Sequence, residues 1–79
     1  MSYNVYILKC SDGHPYVGCT NDLASRLFRH SKGYVPAAKS RLPVQLATSV
    51  NFSDKYKAFE FERYLKTGSG RAFLNKHLL

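Results

Sequence analysis

Apolar residues fall into two strand-like runs, a helical stripe, a third strand-like run and two further helical stripes, with turn signals between them. The run from Tyr3 to Cys10, rich in Tyr, Val, Ile and Leu, predicts a strand. Ser11-Asp12-Gly13 reads as a turn, and Pro15 to Cys19 as a short return strand. A three-residue loop with Gly13 in the left-handed position would pair Cys10 with His14. Leu8 then stands opposite Tyr16, and Tyr6 opposite Gly18. Side chains alternate along a strand, so Tyr6 and Tyr16 share one face as diagonal neighbours. Val5, Ile7 and Val17 point to the other. A slip of one residue would separate the two tyrosines. Gly18 carries no side chain and marks a place where a ligand or another backbone can approach.

Thr20 or Asn21 can cap a helix running to about Ser31, with Leu23, Ala24, Leu27 and Phe28 as its apolar stripe. Arg26 and His30, four residues apart, lie together at the edge of that stripe, while Arg29 points to solvent. Lys32 to Leu42, with Gly33, Pro36, Lys39 and Arg41, reads as a basic loop. A third strand follows Pro43, about Val44 to Asn51. Ser53 can cap a second helix, about Asp54 to Thr67, whose inward stripe is Ala58, Phe61 and Leu65. Glu62 falls inside that apolar arc, whereas Glu60 and Arg63 fall outside it. Gly68-Ser69-Gly70 breaks the chain before a last helix that packs through Phe73, Leu74, His77 and Leu78. The expected architecture is one α/β (α+β) domain over residues 1–79, in β-β-α-β-α-α order, with a three-stranded antiparallel sheet flanked by helices.

Charge narrows the function. Twelve basic and five acidic residues leave a net charge of +7. Such a field attracts polyanions, and nucleic acid is the commonest partner of a small basic domain, although a basic surface also serves solubility alone. No apolar run is long enough to cross a bilayer, and the first residues do not read as a signal peptide. The expectation is therefore a cytoplasmic protein without membrane contact or an obligate protein partner. Cys10 and Cys19 lie at opposite ends of the expected hairpin, too far apart for a disulfide. Without CxxC or HxxxH spacing, a zinc site is not expected either.

Tyr6, Tyr16, Arg26, His30 and Glu62 together form a plausible kit for cutting a phosphodiester. Each also has a purely structural reading. Strand tyrosines pack half-buried faces, an arginine can cover a helix edge, and a lone histidine is usually a surface group. Glu62 is the hardest to dismiss, because a carboxylate on an inward face is costly unless a cation meets it. Lys66, one turn on, could be that cation or a phosphate contact.

Jointly these residues carry a resemblance. Asn4-Val5-Tyr6 and Tyr16-Val17-Gly18 stand at the two signature positions of the GIY-YIG nuclease superfamily. Asn21-Asp22-Leu23 with Ser25-Arg26-Leu27 resembles the family helix with its catalytic arginine, and His30 matches a histidine of several branches. Ala58-Phe59-Glu60-Phe61-Glu62 resembles the family's Ala-x-x-x-Glu. The run from Tyr64 to Arg71 resembles the segment that follows it in small stand-alone bacterial members. The resemblance implies the GIY-YIG fold and a metal-dependent endonuclease acting on DNA, leaving a 5′-phosphate and a 3′-hydroxyl, with DNA repair as a suggested context. Glu62 would hold one Mg²⁺ or Mn²⁺, Arg26 would neutralise transition-state charge, and Tyr16 would help deprotonate water. Tyr6 would position that water or share the task, and His30 would relay the proton. Gly18, Lys39, Arg41, Lys66 and Arg71 are the expected substrate contacts. Asn4 replaces the first signature glycine, and Cys19 stands where the excision-repair branch carries a lysine. Asn75 lies near a late polar position of some branches. Two alternatives stay open at this point: a basic nucleic-acid-binding module that cuts nothing, and a nuclease acting on RNA. Pure binding would not require Glu62 with Arg26.

Overall fold

The computed structural model describes residues 2–79. In chain order the elements are β1 (Tyr3–Cys10), β2 (Pro15–Thr20), α1 (Leu23–Ser31), α2 (Pro36–Lys39), β3 (Val44–Phe52), α3 (Lys55–Leu65) and α4 (Gly68–His77). The β-β-α-β-α-α order stands, with one addition. The expected basic loop contains α2, a single turn that Pro36 opens with a φ already suited to a helix start. One turn is too short to leave a periodic signal.

The sheet is antiparallel in the order β2-β1-β3, so β1 is central and β2 has a free outer edge. Val5, Tyr6, Ile7 and Leu8 are all buried, because helices cover both faces of β1. On one face Val5, Ile7 and Val17 meet Ala58, Leu65 and Leu74 of α3 and α4. On the other, Tyr6, Leu8 and Cys10 meet Leu23 and Leu27 of α1, with Tyr16 and Val44 beside them. The hairpin has the expected register, with Leu8 opposite Tyr16 and Tyr6 opposite Gly18. Gly13 takes a φ of 82°, the left-handed conformation that this turn requires. Against β3 the register shifts between Ile7 and Leu8.

Several local expectations are corrected. Asp22 rather than Thr20 or Asn21 caps α1, accepting from the Ser25 N–H at 3.1 Å. Asp54 rather than Ser53 caps α3, accepting from the Tyr56 N–H at 2.8 Å. Neighbouring Ser, Thr, Asn and Asp are near-equal caps, so sequence cannot rank them. The inward face of α1 is also rotated. Phe28 is 57% exposed and Ala24 is exposed, whereas His30 is 1% exposed. Leu23, Leu27 and His30 are what α1 turns to the sheet.

Gly68-Ser69-Gly70 does not precede the last helix; it forms the first turn of α4, capped by Thr67. Gly70 is buried there, and a Cβ on it would run into the backbone of Tyr64 and Leu65. The glycine serves close packing of α4 onto the end of α3. In α4, Leu74 is buried, while Phe73 and His77 are exposed. Phe73 joins an aromatic cluster with Phe61 and Tyr64 instead. No helix among the described residues is long and apolar enough to cross a membrane.

Candidate active site

The hairpin register places the rings of Tyr6 and Tyr16 on one sheet face, 6.3 Å between centroids. His30 comes down from α1 onto both, edge to face, at 5.6 Å from Tyr6 and 5.0 Å from Tyr16. Its Nε2 lies 3.0 Å from the Tyr6 hydroxyl. The surface-histidine reading is therefore wrong: Tyr6 is buried under α1, and a buried phenol needs a hydrogen-bond partner.

Burial pushes the Tyr6 phenol up to about 12, Tyr16 adds to the rise, and Arg26 beside it opposes the rise. Tyr6 consequently keeps its proton at neutral pH. Burial and the Arg26 charge both hold His30 below the usual histidine range, so the ring is neutral. The Tyr6 hydroxyl and the His30 Nε2 therefore share a hydrogen bond between two neutral groups, its donor set by the imidazole tautomer. The His30 Nδ1 is buried without a hydrogen-bond partner. Arg26 is half-buried, and its charge acts on Tyr6, His30 and Cys19 alike.

Tyr16, unlike Tyr6, reaches open space. It borders a cleft of about 380 Å³ together with Pro15, Arg41, Glu62, Lys66 and Arg71. Tyr16 belongs to the sheet face under α1, whereas Glu62 comes from α3 on the opposite face. The cleft thus wraps around the free edge of β2, which lets groups from both faces meet. Glu62 is the one carboxylate lining it, and its Oε2 accepts from Lys66 Nζ at 3.0 Å. The cation that an inward carboxylate calls for is therefore Lys66. Cys19, half-buried on β2, feels both Glu62 and Arg26; burial, aided by Glu62, pushes its thiol up. Cys10 and Cys19 are both free.

Five of the sequence-derived candidates do not line the cleft: Tyr6 and His30 stand behind Tyr16, Gly18 is covered, Lys39 is exposed on α2, and Arg26 is half-buried on α1. The reason for Gly18 is not ligand access. A Cβ there would strike the end of the Tyr6 ring, which lies across the glycine from the neighbouring strand. Gly18→Ala should accordingly push the phenol off His30 and cost about 1–3 kcal/mol of stability, as overpacking typically does. Urea melts, with the His30 ring resonances as a local probe, would check this; an unchanged melt would show that the ring can shift freely.

Sequence reasoning missed Asp12, read only as a turn residue. It pairs with Arg41 at 2.8 Å, and Arg41 with the His14 N–H holds its carboxyl below the usual range.

Residues 2–76 match the GIY-YIG catalytic domain. The UPF0213 protein YsiG of Lactococcus lactis is 45% identical over 65 residues, covering 81% of this chain and 62% of that protein. A UPF0213 protein of Staphylococcus saprophyticus is 38% identical over 66 residues, covering 82% of this chain and 80% of its own length. The solution NMR structure of a UPF0213 protein from Bacillus halodurans has a TM-score of 0.62 at 30% identity, over 96% of this chain and 84% of that one. The chain spans less than two thirds of the length of the two Lactococcus lactis relatives, 62% and 63%.

Proposed function

The chain belongs to the GIY-YIG family of nuclease domains, and on that premise we propose that it is an endonuclease hydrolysing phosphodiester bonds in DNA with one divalent metal ion, leaving a 5′-phosphate and a 3′-hydroxyl. The observation that carries this reading is the cleft at the β2 edge, where Tyr16 and Glu62 meet beside Lys66 and Arg71. A binding module needs the cations but not an acid turned toward phosphate.

The donor set fits a hard cation of the Mg²⁺ or Mn²⁺ type in one specific way. No group of three or more His, Cys, Asp or Glu among the described residues could cage a metal. Mg²⁺, however, is commonly held by one or two carboxylates plus waters and substrate phosphate, and Glu62 supplies one carboxylate. Lys66 occupies Oε2, which leaves Oε1 for the ion. When bound, the ion would polarise a non-bridging phosphate oxygen and stabilise the leaving 3′-oxygen.

The chain's own residues supply the rest. Tyr16 stands at the cleft, and as the phenolate, its own proton already given up to solvent, its oxygen would take a proton from the attacking water and become the neutral phenol. Tyr6 does not share that role, since it is buried and keeps its proton; with His30 it forms the wall against which Tyr16 stands. This division sharpens the expectation that both tyrosines handle the water. Arg26 does not line the cleft, but its charge acts on Tyr6 behind Tyr16, and turned toward bound DNA its planar guanidinium would meet the charge that builds on the equatorial oxygens. Lys66 and Arg71 draw the backbone into the cleft.

The test is a panel of labelled duplex, single-stranded and branched DNA, with RNA of the same sequence, incubated with Mg²⁺, Mn²⁺ or EDTA. Cutting of DNA with either metal and none with EDTA is the expected result. Tight binding without cutting in any arm would replace the nuclease by a binding module, and RNA cut in preference to DNA would change the substrate.

A further inference from the structure

We propose that Arg41 is a positioning residue for Tyr16, latching the β1–β2 loop so that the phenol stands correctly in the cleft. The inference rests on Tyr16 being the proton acceptor proposed above, and it reassigns a residue that charge alone marks as a phosphate contact.

The loop from Ser11 to Pro15 has little to hold it from within. The Gly13 N–H donates to the Cys10 carbonyl at 3.0 Å, and the His14 N–H donates to Asp12 Oδ1 at 2.9 Å. Pro15 pairs with Lys9 of β1, and the long-range hydrogen bonds to the loop come from Arg41, close to thirty residues away along the chain. Its Nε donates to Asp12 Oδ2 at 2.8 Å, and its Nη2 reaches Asp12 Oδ1 at 3.4 Å. The same Nη2 donates to the His14 carbonyl at 2.7 Å and the Pro15 carbonyl at 3.2 Å. The Arg41 carbonyl in turn accepts from Ser11, from the N–H at 3.0 Å and from Oγ at 2.9 Å. Side chain and backbone of one residue thus grip both ends of the loop.

The Pro15 carbonyl matters most. It belongs to the peptide bond that leads into Tyr16, so holding it fixes the plane from which the Tyr16 side chain departs. Tyr16 is the second residue of an edge strand, paired with Leu8 of β1 on one side and with no strand on the other among the described residues. A phosphate contact would ask something different of the guanidinium. The Nε–Nη2 edge, which can grip an oxyanion through two parallel hydrogen bonds, is already filled by Asp12. The Asp12 charge also cancels most of the attraction that Arg41 could offer to DNA.

Two variants of the full chain, Arg41→Gln and Asp12→Asn, separate the roles. A latch predicts that both slow single-turnover cleavage at saturating DNA by about 10- to 100-fold, the size of effect that small misplacement of a reacting group produces. DNA affinity and its salt dependence should stay as in the wild type. In a Tyr16→Phe background, Arg41→Gln should slow cleavage no further. A phosphate contact predicts the reverse. Arg41→Gln would then weaken binding and reduce the salt slope by about one, and Asp12→Asn, by freeing a cation, would tighten it. An arm independent of cleavage is the nuclear Overhauser effect between the Tyr16 and His30 rings. It should be present in the wild type and weakened in both variants. If the wild type cuts no substrate, the nuclease reading fails while this arm still decides the latch. Should Arg41→Gln unfold, Asp12→Asn, which can keep the His14 hydrogen bond, carries the same comparison. Ring contacts unchanged in Asp12→Asn, or rate losses that add to Tyr16→Phe, would overturn the proposal.

Discussion

Glu62→Ala should abolish cleavage while leaving the fold and DNA binding in place. Glu62 is the one acid lining the cleft, so its loss takes away the protein oxygen proposed to hold the metal. The structural alternative is that Glu62 exists to pair with Lys66 one turn on. That pair is an i,i+4 contact with the lysine side chain 52% exposed, and such pairs contribute no more than about 0.5 kcal/mol. Its removal should therefore barely move the melting curve. Binding should hold or tighten, because the variant removes a negative charge and frees Lys66 near phosphate. Glu62→Gln sharpens the comparison: the amide can still accept from Lys66 but is a far poorer ligand for Mg²⁺. Glu60→Ala, an exposed acid on the same helix, is the control and should cut almost normally. Rates are to be read at saturating metal and DNA. Wild-type turnover in Glu62→Ala would end the metal assignment, whatever the other residues do.

Much of this site could be read from residue order, and the reason is local geometry. A three-residue turn with glycine in the left-handed position leaves one sensible register, which puts Tyr6 and Tyr16 together. Helical angle alone turns Glu62 inward. The resemblance of the two signature triplets and the helix arginine then adds the chemistry, and the match over residues 2–76 bears out the family. What stayed hidden depends on partners distant in sequence. Apolar periodicity favours Phe28 over His30 as the inward residue of α1, since burying a phenyl ring gains more than burying an imidazole. The order is reversed because Tyr6 brings a hydroxyl into that layer, and only a polar group on α1 can meet it. Gly18 is small because a ring from the neighbouring strand occupies its space. The Asp12–Arg41 pair joins two loops 29 residues apart, with no periodicity to announce it.

Arg26→Lys should slow cleavage by roughly 30- to 1000-fold, a rise of about 2–4 kcal/mol in the barrier, the size associated with one transition-state donor. The substitution preserves the positive charge, so it isolates geometry from electrostatics. A guanidinium can place two parallel N–H groups on two oxygens of one phosphate, whereas an ammonium acts as a point charge. Affinity for DNA should consequently change little. A second effect tends the same way. The Arg26 charge acts on the buried Tyr6 phenol and on His30, the pair that backs Tyr16. A lysine head group held elsewhere would relax that arrangement and loosen the wall behind the acceptor. Arg29→Lys is the natural control, since Arg29 lies exposed on the same helix. Single-turnover rates separated from binding constants, with melting curves for all variants, distinguish the outcomes. A fall in rate at unchanged affinity supports a forked contact made in the transition state. Near wild-type rates in Arg26→Lys would show that the residue only steers DNA by its charge, and the stabilising role would have to pass to Lys66 or Arg71 at the cleft.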